Sequence, residues 1–123
     1  MSLKEAGRLM MVGFDGTEPS DSLREFVAES PPAGVILFGR NIESTHQVAA
    51  LIRDLRSLWP SNGLPPLIGV DQEGGNVRRL KAPECPDFAA FPAMRTVGLE
   101  GSTELSFLVG EVTGQQLASL GFN

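Results

Sequence analysis

Apolar positions follow two rhythms along this chain, unbroken runs and spaced stripes. Gly34 to Gly39 reads G-V-I-L-F-G, and Leu67 to Val70 reads L-I-G-V. Continuous runs without alternation predict strands buried on both faces, as in a parallel sheet covered by helices. Between the runs, Val48, Leu51, Ile52, Leu55 and Leu58 fall at helical spacing and predict a helix from Ser44 to Trp59. Ser44 and Gln47 have capping-box spacing at its start, Pro60 ends it, and Ser61-Asn62-Gly63 follows as a turn. Strand, helix and strand within roughly 30 residues have the size of a βαβ unit.

The flanks are read in the same way. Leu3, Ala6, Leu9 and Met10 predict a short amphipathic helix over 3–12, broken at Phe14-Asp15-Gly16. A second short helix is expected over 21–28, with Leu23, Phe26 and Val27 on one face and Ser22 and Glu25 as its capping box. Pro31-Pro32 stops it. From Lys81 to Arg95, prolines at 83, 86 and 92 predict a long loop. A last helix over 103–120 would turn Leu105, Leu108, Val109, Val112, Leu117 and Leu120 inward, with Gly121 as its cap. The pattern thus gives two strands, and no repeat interrupts it.

Length and charge narrow the classes. At 123 residues the chain is at most one small domain. A net charge of −5 argues against non-specific nucleic-acid binding, which needs a cationic face. No apolar run approaches the ~20 residues of a membrane helix, and the N-terminus lacks the layout of a secretory signal. A lone cysteine, Cys85, fits a reducing compartment, so a cytoplasmic protein with no nucleic-acid or membrane partner is expected.

Chemistry concentrates in one stretch. Directly after Leu67 to Val70 come Asp71 and Glu73, then Gly74-Gly75, then Arg78 and Arg79. In parallel α/β proteins, ligands sit beyond the carboxyl ends of strands, where loops converge. Taken alone, Asp71 and Glu73 suggest a general acid and a nucleophile, since retaining glycosidases use two carboxyl groups about 5 Å apart. The bland alternative is a polar loop with a surface ion pair. Gly74-Gly75 reads as a tight turn, because no G-x-G-x-x-G phosphate fingerprint accompanies it. Arg40-Asn41 occupy the matching place after the first strand, and Arg40 either closes that loop or contacts a ligand. His46 reads as exposed and idle, and Trp59 as core packing at a helix end.

Together, G-V-I-L-F-G-R-N at 34–41, D-Q-E-G-G-N-V-R-R at 71–79, F-P-A-M at 91–94 and L-A-S-L-G-F-N at 117–123 resemble the amino-terminal part of the glycoside hydrolase family 3 catalytic domain. The likeness is nearest to the family's bacterial β-N-acetylglucosaminidases (β-hexosaminidases), and Asn76 departs from it where relatives often carry arginine. The resemblance implies an α/β fold, the opening β-α-β-α portion of a (β/α)8 TIM barrel, spanning residues 1–123 and incomplete in this chain. It implies removal of terminal N-acetyl-β-D-glucosamine from cell-wall or chitin-derived saccharides, by a retaining mechanism with no metal or organic cofactor. It puts Asp71 and Arg79 on the hydroxyls of the non-reducing sugar, in place of the acid and nucleophile roles, and leaves Glu73 and Arg78 to hold the loop. The family's nucleophilic aspartate and acid/base histidine belong to downstream motifs that this sequence lacks, and His46 does not match the histidine's context. The segment alone is therefore expected to be inactive and to self-associate through its open strand edges. Alternatives are a β-glucosidase of the same family, or a non-catalytic sugar-binding or assembly protein built on a truncated barrel. A nucleotide-binding Rossmann unit is weaker, for want of the glycine fingerprint.

Overall fold

The computed structural model describes residues 3–61 and 63–123, so Asn62 of the expected turn lies outside the described residues. At the centre is a parallel sheet in the order β1-β2-β3, formed by Met11–Val12, Gly34–Leu37 and Leu67–Val70. The helices α1 (Leu3–Gly7), α2 (Asp21–Glu29) and α3 (Thr45–Arg56) lie before and between these strands. Beyond them come an antiparallel hairpin, β4 (Gln72–Gly74) with β5 (Val77–Arg78), and the helices α4 (Met94–Leu99) and α5 (Thr103–Leu120). The order β1-α2-β2-α3-β3-α5 makes three βα units where the sequence predicts two strands.

The additional strand, β1, corrects the helix expected over 3–12. The helix stops at Gly7, and Met11 and Val12 pair with Gly34 and Val35 instead. Leu9 and Met10 are left exposed, so their helical spacing is incidental. Pairing with a strand more than twenty positions away decides this segment. At Gly34 itself only glycine fits, because a Cβ would lie 2.1 Å from the Leu67 carbonyl oxygen.

The sheet is covered on one face only, which corrects the expectation of two buried faces. Val35, Leu37 and Ile68 face α2, α3 and α5 and are fully buried with Leu23, Val27, Val48, Leu51, Ile52, Leu55, Leu120 and Phe122. Each such burial contributes about 1.5–3 kcal/mol. The register puts Met11, Gly34 and Leu67 in one row on the other face, where Met11 is 44% and Leu67 47% exposed. In a barrel this second face is the interior, filled by side chains from the other strands.

Helix ends follow local chemistry, with two revisions. Ser20 caps α2, its hydroxyl accepting from Leu23 N, while Ser22 only bonds to Ser20. Ser44 caps α3 as expected, accepting from Gln47 N, but Gln47 Oε1 reaches back to Glu43 N, one residue before the cap. Trp59, past the end of α3, is buried and donates to the Pro32 carbonyl, so it packs in the core. The proline-rich loop is present but ends early, giving way to α4 directly after Pro92-Ala93. Ser102 caps α5 and Gly121 closes it in the left-handed conformation (φ 99°). Of the six residues expected to face inward on α5, Val109 and Leu120 are buried, whereas Leu105 and Leu108 are 37% and 51% exposed.

The outer edge of β3 is not bare either. Asn123 accepts from Ile68 N through Oδ1 at 2.8 Å and donates from Nδ2 to the Pro66 carbonyl at 3.2 Å. Its backbone N donates to the Ile68 carbonyl at 3.4 Å.

Candidate functional site

Three loops leave the carboxyl end of the sheet: 13–16 after β1, 38–41 after β2 and 71–80 after β3. The first two tie each other down. Asn41, fully buried, donates from Nδ2 to the carbonyls of Phe14 (3.1 Å) and Gly16 (2.7 Å) and accepts from Phe38 N at 2.9 Å. Arg40 donates to the Phe14 carbonyl at 3.0 Å, pairs with Asp15 at 2.6 Å, and lies 4.8 Å from the centre of the Phe38 ring. Of the two readings left open for Arg40, the structure gives loop closure.

The third loop is built differently. Asp71 follows β3 directly, and the chain turns back through the hairpin to bring Arg79 to it, Nη2 to Oδ2 at 3.4 Å. Their side chains are 38% and 33% exposed, so the pair is open to solvent and worth no more than about 1 kcal/mol. Arg79 Nε is buried with no hydrogen-bond partner. A buried guanidinium N–H without an acceptor is costly, and an incoming oxygen would relieve it. The two side chains have complementary chemistry for a polyol. A carboxylate accepts from two hydroxyls at once, and a guanidinium donates in a fixed fork.

The hairpin that carries Arg79 has its own supports. Gly74 and Gly75 turn it with positive φ (82° and 53°), so the pair is the tight turn that the sequence suggests. A Cβ on Gly74 would lie 2.3 Å from the Pro92 oxygen, and Gly75 N donates to the Phe91 carbonyl at 2.8 Å. The F-P-A-M segment is thus the shelf on which the hairpin rests. Arg78 Nε donates to the Gly75 carbonyl at 3.0 Å and holds the loop as expected. Glu73 does not hold it. It is exposed, sits where the β4–β5 register slips, and has no side-chain partner among the described residues.

Two glutamines missing from the sequence reading do the fastening. Gln72 Oε1 accepts from Arg79 N (3.0 Å) and Leu80 N (3.1 Å), while its Nε2 donates to the Leu80 carbonyl at 2.9 Å. Gln116 of α5 accepts from Ala89 N and donates to the Asp87 carbonyl, fixing the proline-rich loop. Three bonds at about 0.5–1.5 kcal/mol each make the Gln72 clamp stronger than the ion pair beside it. Only a spacing of seven and eight residues within a polar stretch could have hinted at it.

Other candidates fall away. His46 is exposed. Cys85 is in the core, where burial pushes its thiol pKa up; the Thr45 hydroxyl opposes this and the Glu84 and Asp87 carboxylates add to it. A neutral, buried thiol is a poor nucleophile. No cluster of metal-ligating side chains is present among the described residues. Hollows of about 310 Å³ between α4 and α5 and about 540 Å³ beside the end of β1 are lined without Asp71 or Arg79.

With this geometry in hand, comparison with known proteins is direct. The chain matches the glycosyl hydrolase family 3 N terminal domain over residues 3–123. It belongs to glycosyl hydrolase family 3. A β-hexosaminidase of Thiobacillus denitrificans is 34% identical over 118 residues, 91% of this chain and 31% of that protein. Another, from Bordetella avium, is 38% identical over 89 residues, 72% of this chain and 24% of that protein. The structure of a family 3 β-N-acetylglucosaminidase from a Paenibacillus species superposes with a TM-score of 0.87 at 35% identity, covering 100% of this chain and 23% of that one. This family 3 chain therefore spans about a quarter to a third of the length of the curated relatives it matches. Its fold is the opening α/β portion of the family 3 barrel, with one βα unit more than the sequence pattern predicts. No helix among the described residues is long and apolar enough to cross a membrane.

Proposed function

We propose that this segment opens the catalytic barrel of a glycoside hydrolase that, in its complete form, removes terminal N-acetyl-β-D-glucosamine from cell-wall or chitin-derived saccharides. On this reading residues 1–123 are the amino-terminal part of a (β/α)8 domain, and Asp71 and Arg79 hold hydroxyls of the non-reducing sugar. Nucleophile and acid/base come from elsewhere in the complete enzyme, which works by a retaining mechanism without metal or organic cofactor. The observation that carries the proposal is the Asp71–Arg79 pair at the end of β3, part-exposed to solvent, with Arg79 Nε lacking an acceptor. Contacts of this kind, remote from the scissile bond, orient the ring and help distort it towards an oxocarbenium-like transition state. Similarity to β-hexosaminidases supports the choice of sugar. A role in carbohydrate metabolism and a cytoplasmic location complete the reading, and the lone, buried Cys85 fits the latter.

The 123-residue segment by itself is proposed to be inactive and to self-associate. The uncovered sheet face and the exposed Phe107 and Leu108 on α5 favour association, and light scattering across a dilution series measures it. A monodisperse monomer with a cooperative melt would contradict that part. For the activity, the test compares an aryl N-acetyl-β-glucosaminide with an aryl β-glucoside in a complete enzyme containing this segment. Preferential release from the first, with retained anomeric configuration, is expected. Preference for the glucoside, or no turnover of either, would overturn the reading.

A further inference from the structure

We infer that Gln72 is a positioning residue whose carboxamide sets the spacing at which Asp71 and Arg79 meet a sugar. The inference rests on the proposed role of that pair and adds the device that holds it. Asp71 is fixed by its attachment to β3, but Arg79 stands eight positions later, across a hairpin. The β4–β5 ladder does not reach it. Pairing runs from Gln72↔Arg78 to Gly74↔Val77 with a shift between them, and stops one residue short of Arg79. The contacts of Gly74 and Gly75 with Phe91 and Pro92 secure only the far end of the hairpin. Nor can the Asp71–Arg79 contact hold itself, at 3.4 Å and open to water.

What fixes the near end is the Gln72 side chain. One atom accepts from the two successive N–H groups of Arg79 and Leu80, and the other donates back to the Leu80 carbonyl. Leu80 is fully buried in the core, so the clamp ties the backbone of Arg79 to the most rigid part of the fold. The task needs an acceptor and a donor on one planar group. An ionised glutamate of the same shape would keep the two accepted bonds and turn an oxygen against the Leu80 carbonyl.

The test is a double-mutant cycle in a complete enzyme containing this segment, read as kcat/KM on an aryl N-acetyl-β-glucosaminide. Gln72→Met is expected to lower kcat/KM about ten-fold, and Gln72→Glu by an intermediate factor. In an Arg79→Ala background, each change should cost less than about two-fold, because the residue being positioned is gone. A merely structural glutamine would give factors that multiply independently of Arg79, and that result overturns the inference, as does wild-type kinetics in Gln72→Met. If Gln72→Met fails to fold, the cycle stands on Gln72→Glu alone. Should Asp71→Ala and Arg79→Ala themselves leave kcat/KM unchanged, the sugar-binding reading fails and this inference falls with it. A loss in those two but not at Gln72 removes the inference only.

Discussion

The loops that leave β2 and β3 begin alike, with a charged residue and an amide just past a buried strand, yet they end in opposite states. After β2, every polar atom of Asn41 is occupied, and Arg40 is held by a carbonyl, a carboxylate and a ring. After β3, the amide of Gln72 is equally consumed, but the charged pair it serves is long, part-exposed and short of an acceptor. The difference separates a strand end whose polar groups close the fold from one whose polar groups stay part-exposed and, on the proposed function, available to a sugar. Position at the carboxyl end of a barrel strand is therefore not sufficient to mark a ligand contact. Unspent hydrogen-bonding capacity is the better sign.

Substitutions can break or sharpen this contrast, and the largest effect belongs to the β3 loop. Asp71→Ala in a complete enzyme should cut kcat/KM for an aryl N-acetyl-β-glucosaminide by tens- to thousands-fold while the thermal melt stays close to wild type. Arg79→Ala should give a similar but smaller fall. In the β2 loop the consequence moves from activity to stability. Asn41→Ala strands Phe38 N and the Gly16 carbonyl and should cost about 2–4 kcal/mol in denaturant unfolding, with activity lost only as far as folding is. Arg40→Ala removes a half-exposed ion pair and should cost less than about 1 kcal/mol, leaving kcat/KM within about two-fold. Glu73→Ala, at an exposed position with no side-chain partner among the described residues, should shift stability by less than about 0.5 kcal/mol, which unfolding curves can bound.

Much of the frame was legible because it is written locally. The runs at 34–37 and 67–70 and the stripe from Val48 to Leu55 each contain enough apolar residues to declare strand or helix, although the runs point to two buried faces where the structure covers one. Asp71, Glu73, Arg78 and Arg79 stand out because charge follows the strand abruptly, but charge alone favours Asp71 with Glu73, and only the family resemblance singles out Asp71 with Arg79. β1 was hidden because it has two residues and exists only by pairing with β2. Nothing marked α4, which buries a single residue, Val97. On α5 the apolar residues run round the helix, so periodicity could not tell Val109, which is buried, from Leu108, which is not. The Gln72 clamp escaped notice for a different reason. An amide is fitted to its task by where the chain returns, and the return is made by the hairpin's three-dimensional path.

The most direct test of the sugar contacts proposed for Asp71 and Arg79 is a structure of a complete enzyme containing this segment with N-acetylglucosamine bound. The sugar's hydroxyls are expected within about 2.5–3.2 Å of both the Asp71 carboxylate and the Arg79 guanidinium, with Gln72 still bonded to Leu80. A sugar bound elsewhere, with Asp71 and Arg79 still meeting each other at 3.4 Å as they do here, would contradict it.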